Sequence, residues 1–401
     1  MSLYDVCVVG GAGHVGAPLA TVFAARGLRT LIYDTNEPTV RSILDGRFPF
    51  LERGGDRLLR EALKSGSLAG STHPQDVAAA RAIVVTIGTP VDEFQNPEWD
   101  AVSRFVGDLL PYLGGAELLV LRSTVSPGTT DRLQQFLTDN GLSLPVAFCP
   151  ERVVQGQAIA EIQQMPQIVS GTSTIAEQRA EALFARVTGS VVCMKPIEAE
   201  FAKLFCNAYR YIQFAASNQF FMMAQLAGCD YHRIVAGIRQ DYPRMGGFPG
   251  AGFTAGPCLL KDTLQLAASS NFQFGLGYAA IHVNEGLPAF VVDDIARRFS
   301  LPTMAVGILG IAFKAGSDDP RSSLSYKLKK LFRLHAREVL TTDPFVTGDA
   351  ELLPLAEVLA RSDVIVIATP HPEYASIRVD SKPVIDIWNL RASAVAAPGL
   401  P

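Results

Sequence analysis

A thiol, a carboxylate and an ammonium sit on one glycine-rich stretch of this chain, Gly250-Ala251-Gly252-Phe253-Thr254-Ala255-Gly256-Pro257-Cys258-Leu259-Leu260-Lys261-Asp262. Gly250, Gly252 and Gly256 leave the backbone free to take positive φ. A helix is expected to begin near Cys258, where the positive end of its dipole favours a thiolate. Such a thiolate could attack a carbonyl carbon. Taken alone, the stretch is equally compatible with a structural cysteine buried after a loop. Upstream, Lys203 and Asn207 stand one helical turn apart and could together donate hydrogen bonds to a developing oxyanion; a buried lysine without such a task is costly. Glu200, Arg210 and Asn218 recur with them at helical multiples, which gathers all five roughly along one face, the competing reading being a solvated polar stripe.

These side chains need elements to hold them. Ile197 to Ala227 contains neither Gly nor Pro and is rich in large apolar residues, so it reads as one long helix, apolar nearly all round, that is either core or a dimer interface. At the N-terminus, the β-branched run Tyr4 to Val9 passes into Gly11-Ala12-Gly13-His14-Val15-Gly16 and then a helical Ala17 to Arg26. This is GxGxxG between strand and helix: two glycines permit a tight turn and close approach of a pyrophosphate, and the third lets helix and strand pack. The next strand, Thr30 to Tyr33, ends in Asp34, whose carboxylate can bind both ribose hydroxyls and repel a 2′-phosphate, which favours NAD over NADP.

Further strands are expected at Ala82 to Ile87, Leu118 to Leu121 and Pro145 to Phe148. They end in Gly88-Thr89-Pro90, Ser123-Thr124-Val125-Ser126-Pro127-Gly128-Thr129 and Cys149-Pro150-Glu151-Arg152. Ligands of parallel doubly wound sheets lie at such ends. Thr124 could orient a water or substrate hydroxyl and Glu151 could take up a proton, although ordinary turn chemistry explains each residue singly. A second alternating pattern follows: Met304 to Phe313 ends at Lys314, Glu338 to Thr342 at Asp343, Val364 to Ala368 at Thr369, and Val384 to Ile387 at Trp388. It predicts a smaller doubly wound sheet without GxGxxG, in which Lys314 and Arg321 suit a second phosphate-bearing ligand unless they are solvated surface charge. The fold class is therefore α/β, with two Rossmann-like domains (1–194 and 301–401) joined by a central helical domain (195–300).

With 401 residues, 48% hydrophobic and 18% charged, the chain can bury a large core. A net charge of -4 without any Lys/Arg tract recommends neither nucleic acid nor an anionic membrane as partner. No leader pattern or membrane-length apolar run stands in the sequence, which leads us to expect a cytoplasmic protein. The six cysteines, Cys7, Cys149, Cys193, Cys206, Cys229 and Cys258, show no CxxC pairing, and the six histidines no ligand spacing, so no metal site is expected.

In these motifs the chain resembles the UDP-glucose/GDP-mannose dehydrogenase family over nearly its whole length. The likeness rests on Gly11 to Gly16, Gly88-Thr89-Pro90, Ser123-Thr124-Val125 with Pro127-Gly128-Thr129, Pro150-Glu151, Lys203 with Asn207, Gly256-Pro257-Cys258 with Lys261-Asp262, and Phe313-Lys314 with Asp319 and Arg321. The resemblance implies an NAD-binding domain, a helical dimerisation centre and a nucleotide-sugar domain that together oxidise a C6 alcohol to a carboxylate with two NAD. It assigns Cys258 as nucleophile, Lys203 and Asn207 to the oxyanions, Asp262 and Glu151 to proton transfer and Thr124 to a water. Gly11, Gly13, His14, Val15, Gly16, Asp34, Thr89, Pro90, Ser123, Thr124 and Lys314 would hold the cofactor. Glu151, Arg152, Gly256, Lys261 and Arg321 fall to the substrate side, and Arg244 to the sugar of a neighbouring subunit.

Gln155 stands where many glucose-type members carry a second Glu, Asn218-Gln219 replaces a common Asn-Glu, and Thr254-Ala255 replaces glycines. Cys149-Pro150-Glu151-Arg152 looks closer to the N-acetylhexosamine branch and Lys261-Asp262 to the glucose branch, which leaves the sugar open. Two rivals remain: a β-hydroxyacid dehydrogenase, which makes one oxidation and leaves Cys258 and the last domain without a task, and a non-catalytic NAD-binding regulatory protein.

Overall fold

The computed structural model describes residues 2–88, 99–271, 273–379 and 382–391. Thr89 and Pro90 lie outside them. The chain forms two compact units, Met1–Cys206 with Leu264–Asn271, and Asn207–Thr263 with Phe272–Pro401.

The first unit is built on an eight-stranded sheet in the order β3-β2-β1-β4-β5-β6-β7-β8. Its strands are β1 (Val6–Val9), β2 (Thr30–Tyr33), β3 (Leu68–Ser71), β4 (Ala82–Val85), β5 (Leu118–Leu121), β6 (Val146–Phe148), β7 (Gln167–Gly171) and β8 (Val191–Cys193). All neighbours run parallel except β6 and β7. Successive residues of a strand feed opposite cores: Val6 and Val8 join Ile32, Val84 and Val120 on one face, while Cys7 and Val9 join Leu31, Ile83 and Leu119 on the other. Burial on both faces is why these strands read as unbroken apolar runs rather than alternating ones. The sequence did not signal β3, β7 and β8: β3 and β7 carry Gly, Ser or Gln in place of an unbroken apolar run, and β8, Val-Val-Cys, is only three residues long.

In the second unit β9 (Ala305–Leu309), β10 (Glu338–Thr342), β11 (Val364–Ile367) and β12 (Val384–Asp386) form a parallel sheet in the order β10-β9-β11-β12. Strand β9 stops four residues short of the expected Phe313, because Gly310 turns at φ +95° with its Cα against Thr369, where a Cβ would lie 2.4 Å from the threonine Cβ.

One helix, Pro196–Leu226, runs for 31 residues, roughly 46 Å at the α-helical rise. It buries a polar stripe along with apolar residues such as Leu204 and Tyr211, and exposes an apolar stripe on another side. Glu200, Lys203, Asn207 and Asn218 are buried, whereas Phe205, Tyr209, Phe220 and Met223, which fall on the opposite face at 100° per residue, are more than half exposed. The solvated-stripe reading fails for these four polar residues. Arg210 is the exception, exposed rather than gathered with them. No helix among the described residues is long and apolar enough to cross a membrane.

Candidate active site

The glycine-rich turn after β1 is shaped by the fold at two of its three glycines. A Cβ on Gly11 would lie 2.5 Å from Val8 O and one on Gly16 2.4 Å from Gly10 O, whereas at Gly13 the nearest atom would be 3.4 Å away. Packing within the protein therefore does not demand glycine at 13, which fits a residue kept small for a close-lying pyrophosphate. Asp34 at the end of β2 reaches back to this turn, Oδ2 accepting from Ala12 N at 3.1 Å and Oδ1 from Asn36 N at 3.0 Å. Thr86, which the motifs did not single out, fixes the turn from β4 by donating to Val9 O at 2.8 Å. His14 packs against Phe50 with ring centroids 4.0 Å apart and the rings tilted by 38°, and its Nδ1 lies 3.0 Å from Gln155 Nε2. Val15 opens the helix Gly16–Ala25. These residues fit an NAD pyrophosphate and adenosine ribose.

Beyond β5, Ser123 donates to Ile87 O at 2.6 Å and so ties two strand ends together, while Thr124 is half-buried beside it. Glu151 is held tightly: Oε2 accepts from Arg122 Nε at 2.9 Å and from its Nη2, and Oε1 accepts from the backbone N–H of Arg152 at 2.6 Å and of Val153 at 2.7 Å. Arg122 is almost fully buried, also donating to Cys149 O and Gln167 Oε1 and lying over the Phe184 ring. A charged residue closing the apolar run Leu-Leu-Val-Leu was the available signal for it. Arg152 turns its own guanidinium to Pro166 O.

The long helix anchors what surrounds it. Glu200 accepts from Gly128 N at 2.5 Å and from Thr130 N at 2.7 Å and Thr130 Oγ1 at 2.6 Å, capping the helix Thr129–Asp139 and fixing the loop that carries Thr124. Burial pushes the Glu200 carboxyl above its ordinary range against the downward pull of these bonds. One turn on, Lys203 is 8% exposed. At the next turn Asn207 donates to Asp262 Oδ2 at 2.6 Å, and Asp262 Oδ1 lies 3.2 Å from Lys261 Nζ. The Asp262 N–H in turn donates to Cys258 O at 2.8 Å, which makes Cys258 the residue that caps the helix Leu259–Ser269, as the sequence predicts. Gly252 and Gly256 take positive φ but Gly250 does not.

Lys314 lies over the Phe313 ring at 6.0 Å, and the exposed Arg321 is held by Asp319, Nη2 to Oδ2 at 2.6 Å. Arg244, on the short 3-10 turn Pro243–Met245, is exposed beside the Tyr242 ring. The second sheet repeats one device of the first. Asp343 after β10 accepts from Ala312 N at 2.9 Å as Asp34 accepts from Ala12 N, but it also accepts from Ile311, Phe345 and Val346 N–H groups and faces His371 Nε2 at 3.2 Å. Burial would raise its carboxyl; the bonds from His371 and the backbone outweigh that and hold it at about 2. With its oxygens so engaged, Asp343 is not placed to bind ribose as an Asp34 would, which sets the second sheet apart from a dinucleotide fold.

A doubly wound parallel sheet with a glycine turn of this shape is the fold of a dinucleotide-binding protein. The chain belongs to the UDP-glucose/GDP-mannose dehydrogenase family: the family's NAD binding domain matches residues 4–188, its central domain 197–286 and its UDP binding domain 307–392. The chain is 30% identical over 383 residues to a UDP-N-acetyl-D-mannosamine dehydrogenase of Pyrococcus horikoshii, covering 92% of this chain and 90% of that one. It is 28% identical to an NDP-N-acetyl-D-galactosaminuronic acid dehydrogenase of Ralstonia solanacearum, over 96% of each. Among solved structures, a UDP-D-ManNAc dehydrogenase from Pyrococcus horikoshii superposes with a TM-score of 0.87 at 26% identity, covering 96% of this chain and 99% of that one. A UDP-glucose dehydrogenase from Pyrobaculum islandicum does so with a TM-score of 0.88 at 26% identity, covering 97% and 95%.

Proposed function

We propose that the chain is a nucleotide-sugar 6-dehydrogenase that oxidises the C6 alcohol of a UDP-hexose to the uronate in two steps, the second through a thiohemiacetal on Cys258. The observation that carries this reading is the bond from Asn207 to Asp262: Asp262 lies in the first turn of the helix that starts at Cys258, its N–H closing that turn on the Cys258 carbonyl, and its carboxylate accepts from the Asn207 amide, so the helix that begins at the nucleophile is tied to an oxyanion donor. An aldehyde has no second hydride to give until a nucleophile adds to it. Cys258 Sγ forms a bond to the aldehyde carbon and the oxygen gains a proton. Loss of hydride and proton then leaves a thioester, which water splits to the carboxylate and the regenerated thiol. NAD, when bound along Gly11 to Gly16, Asp34 and Ser123, supplies the hydride acceptor for both oxidations. In this reading Lys203 and Asn207 stabilise the oxyanions, Asp262 and Glu151 handle protons and Thr124 holds the water. Arg152, Gly256, Lys261, Lys314 and Arg321 are assigned to ligand contacts.

The names of the relatives favour an N-acetylhexosamine over glucose. We further read 1–194, 195–300 and 301–401 as the three functional domains, and the exposed apolar stripe of the long helix as the seat of a second copy of the chain, which would give Arg244 its sugar. Light scattering of the protein and of Met223→Glu tests that pairing. For the reaction, excess NAD is incubated with limiting UDP-glucose, UDP-N-acetylglucosamine, UDP-N-acetylmannosamine, TDP-glucose or GDP-mannose, and NADH is counted per sugar consumed. Two per sugar supports the reading and names the substrate; one per sugar removes Cys258 from its role, and none with any donor favours a non-catalytic protein.

A further inference from the structure

Six residues before Cys258, the chain is gripped from two sides at Gly252. Asn218, fully buried on the long helix, accepts from Gly252 N at 2.8 Å and donates to Gly252 O at 3.1 Å, so one side-chain amide holds both polar groups of a single residue. Asn218 is itself fixed by Asn284, whose Oδ1 accepts at 2.9 Å and whose Nδ2 donates to Tyr211 O at 3.0 Å. Against the same glycine lies the Trp388 ring: a Cβ at 252 would fall 2.2 Å from Cζ3 and 2.4 Å from Cε3 and Cη2. The indole is not a loose cover, since its Nε1 donates to Ala368 O at 3.1 Å, just past β11. A second grip follows at Gly256, which donates to Ser322 O at 3.2 Å and whose Cα meets Phe313. Cys258 comes two residues later.

We propose that Trp388 is a positioning residue for the Cys258 thiol, acting through Gly252. The amide of Asn218 limits movement of the Gly252 peptides in their own plane but leaves the Cα side open, and the indole closes that side. Removing the ring would let the segment between the two grips relax and displace the nucleophile, while the groups that take part in the first oxidation stay in place. Misplacing a reacting group by about 1 Å costs on the order of a hundredfold in rate. A large aromatic is the side chain suited to this task, because a broad rigid face meets a glycine Cα with little entropy to lose.

The proposal rests on the two-oxidation reading, and its test separates the two. Trp388→Ala is compared with Trp388→Phe and with Gly252→Ala, which attacks the same contact from the other side should the first variant fail to fold. Steady-state rates, NADH per sugar and hydroxylamine trapping of free aldehyde are measured. We expect Trp388→Ala and Gly252→Ala to lose at least about tenfold in kcat with KM for the sugar nucleotide within about twofold, to release aldehyde, and to fall from two NADH per sugar toward one, with Trp388→Phe largely restored. Two NADH per sugar at an undiminished kcat in Trp388→Ala overturns the proposal, and so does a loss that appears only in KM. Iodoacetamide labelling of Cys258, followed on its peptide without any turnover, decides independently. A rate shifted at least about fivefold in the Ala variants and returned by Phe supports positioning, and equal rates in all four proteins reject it, whatever the NADH count of the unaltered enzyme says about the reaction.

Discussion

The Asn207 amide and the Asp262 carboxylate are joined by a 2.6 Å hydrogen bond, with Asp262 fully buried and Asn207 nearly so. The bond crosses from the long helix to the helix that Cys258 caps. If it orients Asn207 for an oxyanion, Asn207→Ala and Asp262→Ala should each lower kcat/KM by about a hundredfold, and the double variant should lose much less than the product of the two. A double-mutant cycle on kcat/KM measures this; simple additivity would separate the two residues functionally.

Cys258→Ser keeps nearly the same size but replaces the thiol with a hydroxyl, a far weaker nucleophile at neutral pH. Rapid-mixing experiments should show a first burst of NADH with no second equivalent, and intact-mass spectra should lack the sugar adduct seen on the unaltered protein under limiting NAD. Normal uronate output from this variant would end the covalent mechanism.

Asp34 binds Ala12 N and presents the remaining lone pairs of its carboxylate where β2 ends. Asp34→Ala should weaken NAD binding roughly tenfold, the worth of one good hydrogen bond, while NADP loses less because a repelling charge has gone. Titration calorimetry with both dinucleotides gives the ratio directly.

Asp343 is held at about 2, below the ordinary carboxylate value of 3.8. A depressed folded value means its stabilising contribution is complete above pH ~4 and is lost as the pH falls toward 2, amounting to on the order of 2 kcal/mol. Urea unfolding between pH 2 and 6 should therefore show a slope in stability over that window which Asp343→Asn flattens, and the variant should be less stable at pH 7.

The glycine turn after β1, Asp34 at the end of β2 and the apolar strands β1, β2, β4, β5 and β6 were legible because each is a local pattern: glycine spacing, a carboxylate at a strand end and a β-branched run. Cys258 at a helix start was legible for the same reason. Long-range pairings were not. Arg122 with Glu151, Glu200 with Gly128 and Thr130, and Trp388 with Gly252 join residues 29, 72 and 136 positions apart, respectively, for the longest separation in each group. No periodicity encodes such partners. The long helix shows the limit most clearly: its polar spacing was visible, but spacing alone does not say which face is wet, and here the polar stripe is buried while one apolar stripe is exposed. Strand ends were overrun where an apolar run continues past a turning glycine, as at Gly310.

The bonds from Glu200 to Gly128 and Thr130 also bear on how the polypeptide is made. Residues of β1 to β8 leave the ribosome before Glu200 does, since the long helix begins at Pro196 after the last strand of that sheet. Until then the helix Thr129–Asp139 has Gly128 and Thr130 N–H groups without their buried acceptor. At about 5–20 residues per second the wait from Thr130 to Glu200 lasts several seconds. The nascent sheet must pass that interval with one helix end uncapped.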